Sequence, residues 1–106
     1  MSAARLEAAL ADCAKARRSV TYGALAAEIG LDGPGRIARL TTFLEALMEV
    51  DAAAGRPLRA ALVIGRSSGG LPARGFFLKA QALGYDVSDA AAFVAHESER
   101  VFTELM

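Results

Sequence analysis

Two arginines three residues apart, Arg36 and Arg39, occupy the first turns of a predicted helix near the middle of the chain. That helix follows a shorter helical segment and a turn rich in glycine, a succession typical of a helix-turn-helix. Proteins of this class place the first residues of their second helix in a groove of DNA, where guanidinium groups bind phosphates and base edges. The position of Arg36 therefore predicts a side chain directed away from the core and toward a ligand.

A second group of cationic and hydroxyl side chains lies in the segment GRSSGGLPARGF, residues 65–76. Its glycines do not form a nucleotide-binding loop, because no Gly-Lys-Ser or Gly-Lys-Thr follows and no helix opens from a dinucleotide-binding glycine pattern. They favour the loop of a β-hairpin, which would be the wing of a winged helix. The alternative is an anion site built from Arg66, Ser67, Ser68 and Arg74.

The other reactive side chains favour structural roles. Cys13 is the only cysteine, which excludes an internal disulfide, and its place on the apolar face of a predicted helix favours burial. The only histidine, His96, falls on the polar side of the last predicted helix, where no catalytic set with a serine and a carboxylate can be argued. The acidic residues Glu97, Glu99 and Glu104 are expected to be solvated. The sequence thus predicts no enzymatic activity, no metal site and no cofactor.

Charge is distributed unevenly along the chain. The 106 residues carry 12 basic and 12 acidic side chains, so the formal net charge is zero. Basic side chains outnumber acidic ones between Arg36 and Lys79, and the reverse holds after Lys79. Nucleic-acid-binding proteins usually have a basic surplus, because phosphate neutralisation supplies most of their non-specific affinity. The distribution leaves both a DNA-binding and a protein-binding surface open.

Length and composition predict a single domain over residues 1–106. The hydrophobic fraction of 54% is typical of a globular protein. No apolar run is long enough to span a membrane, and the N-terminus lacks the features of a signal peptide, so the expected location is the cytoplasm.

Hydrophobic periodicity indicates the elements that position the candidate side chains. Helices are predicted over residues 3–16, 22–29, 35–54 and 88 onward, a strand stub over 19–21, and two strands over 59–65 and 75–78. Thr21 and Ser88 are the predicted N-caps, and Gly30 the left-handed stop. The apolar stripe of the long helix begins at Ile37 and continues at Leu40. The order is that of a winged helix: an α+β fold, mostly helical, with a small β-hairpin and flanking N- and C-terminal helices.

The stretch VTYGALAAEIG, with Arg36 a few residues later, resembles the C-terminal domain of alkylguanine-DNA alkyltransferases and the cysteine-free alkyltransferase-like proteins. The resemblance covers residues 19–87. It implies that Tyr22 contacts a DNA phosphate and that Arg36 enters the base stack as a finger. The early TYG and the later GLPARGF are more similar to a group of small, uncharacterised bacterial winged-helix proteins.

The reactive motif of the alkyltransferases, Pro-Cys-His-Arg, is absent. In the matching stretch RPLRAALV, Pro57 is followed by leucine, so the alkyl acceptor is missing and Cys13 lies on a different helix. The expected function is a non-enzymatic winged-helix module that binds double-stranded DNA. The alternative is a protein-interaction or oligomerisation module, with a protein partner or a second copy of the chain. DNA binding requires the candidate tyrosine and arginines to converge on one face free of acids. If Glu45, Glu49 or the last helix lies among them, the protein-interaction module is expected instead. The candidate DNA-binding residues are Tyr22, Arg36, Arg39, Arg66, Ser67 and Arg74.

Overall fold

Helices make up most of the computed structural model, which describes residues 3–67 and 69–104. They are α1 (Ala3–Lys15), α2 (Tyr22–Glu28), α3 (Arg36–Ala53), α4 (Arg74–Ala82) and α5 (Ala90–Glu104), with a 3₁₀ helix at Arg59–Leu62. Two strands of two residues each, β1 (Val20–Thr21) and β2 (Val63–Ile64), pair in parallel. The predicted class, α+β and mostly helical, is confirmed.

The segment from β1 to α3 has the boundaries that its local signals predict. Thr21 Oγ1 accepts a hydrogen bond from Ala24 N at 3.2 Å, which makes Thr21 the N-cap of α2. Gly30 has a φ of 85° and Gly35 a φ of 76°, a left-handed conformation that glycine adopts without strain. The first glycine follows the end of α2 and the second immediately precedes α3. The two helices are therefore joined by a short, sharply turned connection.

The predicted β-hairpin is wrong. Its first strand is replaced by the 3₁₀ helix and by β2, which pairs with β1, and its second strand is part of α4. A buried carboxylate contributes to the first difference: Asp51 Oδ2 accepts a hydrogen bond from Arg59 N, so the first amide of the predicted strand cannot bond a neighbouring strand. Just before it, Glu97 Oε1 accepts a hydrogen bond from Leu58 N and holds the preceding residue against α5. For the second, residues 76 and 80 are buried on one face of α4, a helical spacing that a four-residue window conceals.

The core lies where α1, α2, α3 and the 3₁₀ helix meet. Leu10, Leu25, Leu40 and Leu58 are fully buried there, and Cys13 is buried as predicted. Close packing of leucine and alanine side chains excludes water from this region and supplies most of the stabilisation of the fold.

Three expectations about individual side chains are wrong. Ile37 is 39% exposed, because the first turn of α3 extends beyond the part of the helix that packs on the core. Glu97 is only 2% exposed and is hydrogen-bonded inside the protein. The N-cap of α5 is Asp89, whose Oδ1 accepts a hydrogen bond from Ala92 N at 3.1 Å; Ser88 lies one residue earlier. His96 is exposed, as predicted.

Candidate nucleic-acid interface

The first turn of α3 projects from the body of the protein. Residues 36–39 are all exposed, and the buried stripe of the helix begins only at Leu40. Arg36 forms no hydrogen bond or ion pair with any described residue. Arg39 Nη2 donates a hydrogen bond to the carbonyl oxygen of Asp32 at 2.6 Å, which closes the turn between α2 and α3. One N–H group of Arg39 therefore stabilises the turn while its charge stays at the surface, whereas no donor of Arg36 is engaged within the described residues.

The other candidate side chains come together at one edge of the strand pair. Because β1 and β2 are parallel, their carboxyl ends lie at the same edge of the pair. At this edge β1 is followed by Tyr22, and β2 is followed by residues 65–67. The Tyr22 hydroxyl accepts a hydrogen bond from Ala73 N at 3.0 Å, which holds the start of α4 at this edge and with it Arg74. Arg66 and Arg74 are exposed, as is Ser67. Ser68, the remaining member of the predicted anion site, lies outside the described residues.

Tyr22 is suited to donating a hydrogen bond outward. Its side chain is half-buried, and burial raises the pKa of its phenol above the ordinary value, an effect that the hydrogen bond from Ala73 N partly offsets. The phenol is therefore neutral at physiological pH. Because its oxygen already accepts the amide of Ala73, its own proton is left for a ligand such as a phosphate oxygen.

A small cleft connects the strand edge with α3. Tyr22, Thr41, Glu45 and Phe76 are among the residues that line it, and its volume of about 20 Å³ has room for about one water molecule. Such a cleft is too small for an organic ligand. The residues that line the cleft show that the second turn of α3 lies beside Tyr22.

Arg36 lies on the first turn of α3, before the part of the helix that lines the cleft. It precedes Thr41 by five residues, which corresponds to about 7.5 Å of helix axis. Five residues also turn the helix by about 140°, so the side chains of Arg36 and Thr41 leave α3 in different directions. The two groups of candidate residues are thus adjacent along α3 but do not share one helix face.

The two acidic residues of α3 named above are placed differently. Glu45 lines the cleft beside Tyr22, so one carboxylate does lie near the candidate cations. Glu49 forms an ion pair with Lys79 and joins α3 to α4. The positive charge of the surface is therefore reduced locally at Glu45, and Lys79 is engaged within the fold.

A buried ionic network, which the sequence-based interpretation did not find, removes further cations from the surface. Arg59 Nη2 lies 2.7 Å from Asp51 Oδ1 and Arg59 Nη1 lies 3.0 Å from Glu7 Oε1. Hydrogen bonding to Asp51 raises the pKa of Arg59, against the opposing effect of burial. Arg56 Nε approaches the same Asp51 carboxylate at 3.7 Å. The basic middle of the chain is therefore less basic at the surface than its composition suggests.

The burial of the two carboxylates could have been predicted from their positions in the sequence. Asp51 follows Leu44, Leu47 and Met48 at helical spacing, so it continues the buried stripe of α3. Glu97 likewise stands between Val94 and Val101 on the buried side of α5. An acidic residue inside an apolar stripe is a sign of a buried carboxylate with a partner.

Comparison of the chain with protein-family models, curated proteins and solved structures found no match. No helix within the described ranges is long and apolar enough to cross a membrane. Among the residues that the structure describes, no three histidine, cysteine, aspartate or glutamate side chains come together as metal ligands. The function therefore has to be inferred from the arrangement of the side chains themselves.

Proposed function

We propose that the chain is a non-enzymatic module that binds double-stranded DNA with the first turn of α3 and the adjoining strand edge. The observation that supports the proposal is the state of Arg36, which is exposed, has no partner among the described residues, and begins α3 after the short turn that follows α2. No hydrogen bond or ion pair within the described residues uses this guanidinium, and helix-turn-helix proteins place groove-contacting side chains at this position.

In this proposal the strand edge binds the DNA backbone. Arg66 and Arg74 supply positive charge, and Tyr22 and Ser67 supply hydroxyl donors to phosphate oxygens. The fold is then a variant of the winged helix in which the connection between β2 and α4 takes the place of the wing. The resemblance of the TYG stretch to alkyltransferase-like proteins is consistent with the same surface.

The absence of enzymatic activity is part of the proposal. Leu58 stands where the alkyltransferases have their reactive cysteine. Cys13 is buried in the core, and this burial raises the pKa of its thiol, which disfavours the nucleophilic thiolate. Incubation with a duplex that contains a labelled alkylguanine should therefore leave the protein unlabelled, and stoichiometric labelling of Cys13 would contradict this.

DNA binding can be measured by the fluorescence anisotropy of a labelled duplex. With contacts from Arg36, Arg39, Arg66 and Arg74, the affinity should be weak and should fall roughly 100-fold between about 50 mM and 200 mM salt. Arg36→Ala should cost roughly 1–3 kcal/mol of binding free energy. Arg18→Ala is the matched control, because Arg18 is exposed, precedes β1 and so lies at the opposite edge of the strand pair. Absence of binding even at the lower salt concentration would refute the proposal.

A protein-interaction module, in which the same surface binds a protein or a second copy of the chain, is the second candidate. It is favoured by Glu45, which places a carboxylate beside Tyr22 where a phosphate would be repelled, and by the exposed apolar side chain of Ile37. Sedimentation velocity over a range of concentrations distinguishes the two functions. Concentration-dependent dimerisation without DNA binding would favour this candidate.

A further inference from the structure

An apolar groove lies between α1 and α3, on a different side of α3 from the cleft beside Tyr22. Its volume is about 140 Å³, close to the roughly 150 Å³ of a dry apolar cavity that accommodates benzene. The groove therefore has room for one large apolar side chain. Its lining is apolar except for Glu7 of α1, and α3 contributes Phe43, Ala46, Leu47 and Val50.

The groove is open to solvent along one face of α3. Val50 is 51% exposed, Ala46 is exposed and Phe43 is half-buried. These three residues, called the groove face below, point within about 60° of one another around the helix axis. Their spacings of three and four residues are those of a helix that packs against another helix. A contiguous apolar face of this kind, beside a groove of side-chain size, is typical of an interaction surface.

The two ends of the groove face differ in charge. Arg39 continues the face toward the first turn of α3, and its charge stays at the surface. At the other end Glu7, whose side chain is 48% exposed, forms an ion pair with Arg59, which also binds Asp51 in the last turn of α3. The carboxyl end of the helix adds a partial negative charge there. Arg56 follows this end, and its guanidinium approaches Asp51.

We propose that the groove face binds the groove face of a second copy of the chain, with the two α3 helices antiparallel about a two-fold axis near Ala46. A surface that is positive at one end and negative at the other complements itself in this arrangement. Val50 of each copy enters the groove beside the partner's Phe43, and the small Ala46 lets the helices approach closely. Arg39 then lies at the carboxyl end of the partner's α3, where the charges attract.

This inference goes beyond the proposed DNA binding and does not rest on it. In the antiparallel pair Arg36 lies opposite the partner's Pro57, which is past the end of that helix at Ala53. The guanidinium of Arg36 therefore stays exposed in the dimer. The strand edge with Tyr22 lies on another side of α3 and is not covered either, so this interface is also distinct from the surface of the second candidate function.

Sedimentation equilibrium from micromolar to millimolar protein tests the inference. The weight-average mass of the wild type should rise from 11.0 kDa toward twice that value and no further, because an isologous interface closes at two copies. Val50→Asp should stay monomeric over the same range, since dimerisation would take its carboxylate out of water without a partner. A wild-type protein that stays monomeric throughout, or that assembles beyond the dimer, would overturn the inference.

Leu78→Asp is the matched control. Leu78 is 53% exposed, much as Val50 is, but it lies on α4 outside the groove. This variant should dimerise like the wild type, and circular dichroism of the monomers at low concentration should show the same helix content for both variants. Loss of dimerisation in Leu78→Asp as well, or wild-type dimerisation in Val50→Asp, would place the interface elsewhere and overturn the inference.

A cysteine near the proposed axis tests the geometry without relying on a disruptive change. Ala46→Cys should form an intermolecular disulfide on oxidation by air, because the two copies of this position face each other across the axis. The native Cys13 is buried and does not compete. Gln81→Cys, at an exposed position of α4, is the control and should stay reduced over the same time. Equal cross-linking of both variants would indicate random collision and overturn the inference. DNA is absent from these experiments, so their failure would leave the proposed DNA binding intact.

Discussion

The two ends of α3 use arginine in opposite ways. At the first turn, Arg36 is exposed and has no partner among the described residues. At the last turn, Asp51 is fully buried and draws in Arg59, whose side chain is only 13% exposed. Both arginines belong to the same basic stretch of sequence, yet Arg59 is paired within the fold and Arg36 is not. Whether an arginine of this chain is paired or exposed thus depends on whether the fold places a carboxylate next to its guanidinium group.

The C-terminal end of α3, where Asp51 is paired with Arg59, also fixes the conformation of the residues that follow the helix. Asp51 accepts hydrogen bonds from the backbone amide, Nε and Nη2 of Arg59, so the carboxylate both neutralises the guanidinium and starts the 3₁₀ helix. Bringing two charges out of water is costly, and the cost is offset only while both partners are present. Changes at this end should therefore have much larger effects on stability than changes at the first turn.

The largest effect is expected for Asp51→Ala. Removing the carboxylate leaves Arg59 partly buried without its main partner, which should reduce the free energy of unfolding by about 3–5 kcal/mol. For a chain of this length the melting temperature should fall by more than about 10 °C. Thermal unfolding followed by circular dichroism measures this.

The double variant Asp51→Leu with Arg59→Met is the control for that experiment. It removes both charges together, so it should recover part of the lost stability, while the Arg59 amide still lacks its acceptor. If the free energy of unfolding of Asp51→Ala lies within about 1 kcal/mol of the wild-type value, the ion pair at the C-terminal end of α3 does not stabilise the fold. The two ends of α3 would then not differ in their contribution to stability.

An intermediate effect is expected at Glu97, which supports the same segment from α5. Its Oε1 accepts from Leu58 N and its Oε2 from Arg100 Nη1, each at 3.0 Å. Glu97→Ala should cost about 1–3 kcal/mol, because a buried backbone amide is left without an acceptor. Glu97→Gln should cost less, since its amide oxygen can still accept from Leu58 N.

Glu99→Ala is the matched comparison on the same helix. Glu99 forms its ion pair with Arg17 at the surface, where such pairs contribute about 0–1 kcal/mol. Urea unfolding of the three variants should rank the losses as Glu97→Ala, then Glu97→Gln, then Glu99→Ala. A loss at Glu99 as large as at Glu97 would mean that burial does not decide the energetic role of these acids.

The smallest effect on stability is expected for Arg36→Ala. An exposed side chain without a partner usually changes the free energy of unfolding by no more than about 0.5 kcal/mol, so the melting temperature should be nearly unchanged. Arg39→Ala should cost slightly more, because it breaks the hydrogen bond to Asp32 that closes the turn. A large fall in the melting temperature of Arg36→Ala would show that the free end of the helix is structural after all.

The local parts of the fold could be predicted because their causes are local. The N-cap at Thr21, the left-handed Gly30 and the limits of α2 and α3 depend on residues within a few positions of each other. The exposure of Arg36 also followed from its place at the start of a helix. For the candidate site, the sequence supplied the residue types and the position of the turn.

The conformation of residues 59–65 could not be predicted correctly, because it depends on partners that are far away in the chain. Val63 and Ile64 pair with Val20 and Thr21, far earlier in the chain, so β2 takes β1 as its partner and not a following strand. In the same way, helical periodicity placed Ile37 on the apolar stripe, but it carried no information on where the covering elements end.

Composition and periodicity by themselves determined a mostly helical α+β chain in which two helices are joined by a short turn, with an arginine at the exposed start of the second helix. Only the tertiary structure decided which cations remain on the surface, because that depends on the approach of Asp51 and Glu7 to Arg59 and of Glu49 to Lys79. It also decided that Tyr22 meets the start of α4 at the carboxyl edge of a parallel strand pair. Short-range hydrogen bonds and side-chain periodicity are encoded within a few residues, whereas ion pairs and strand partners form between segments that only folding brings together.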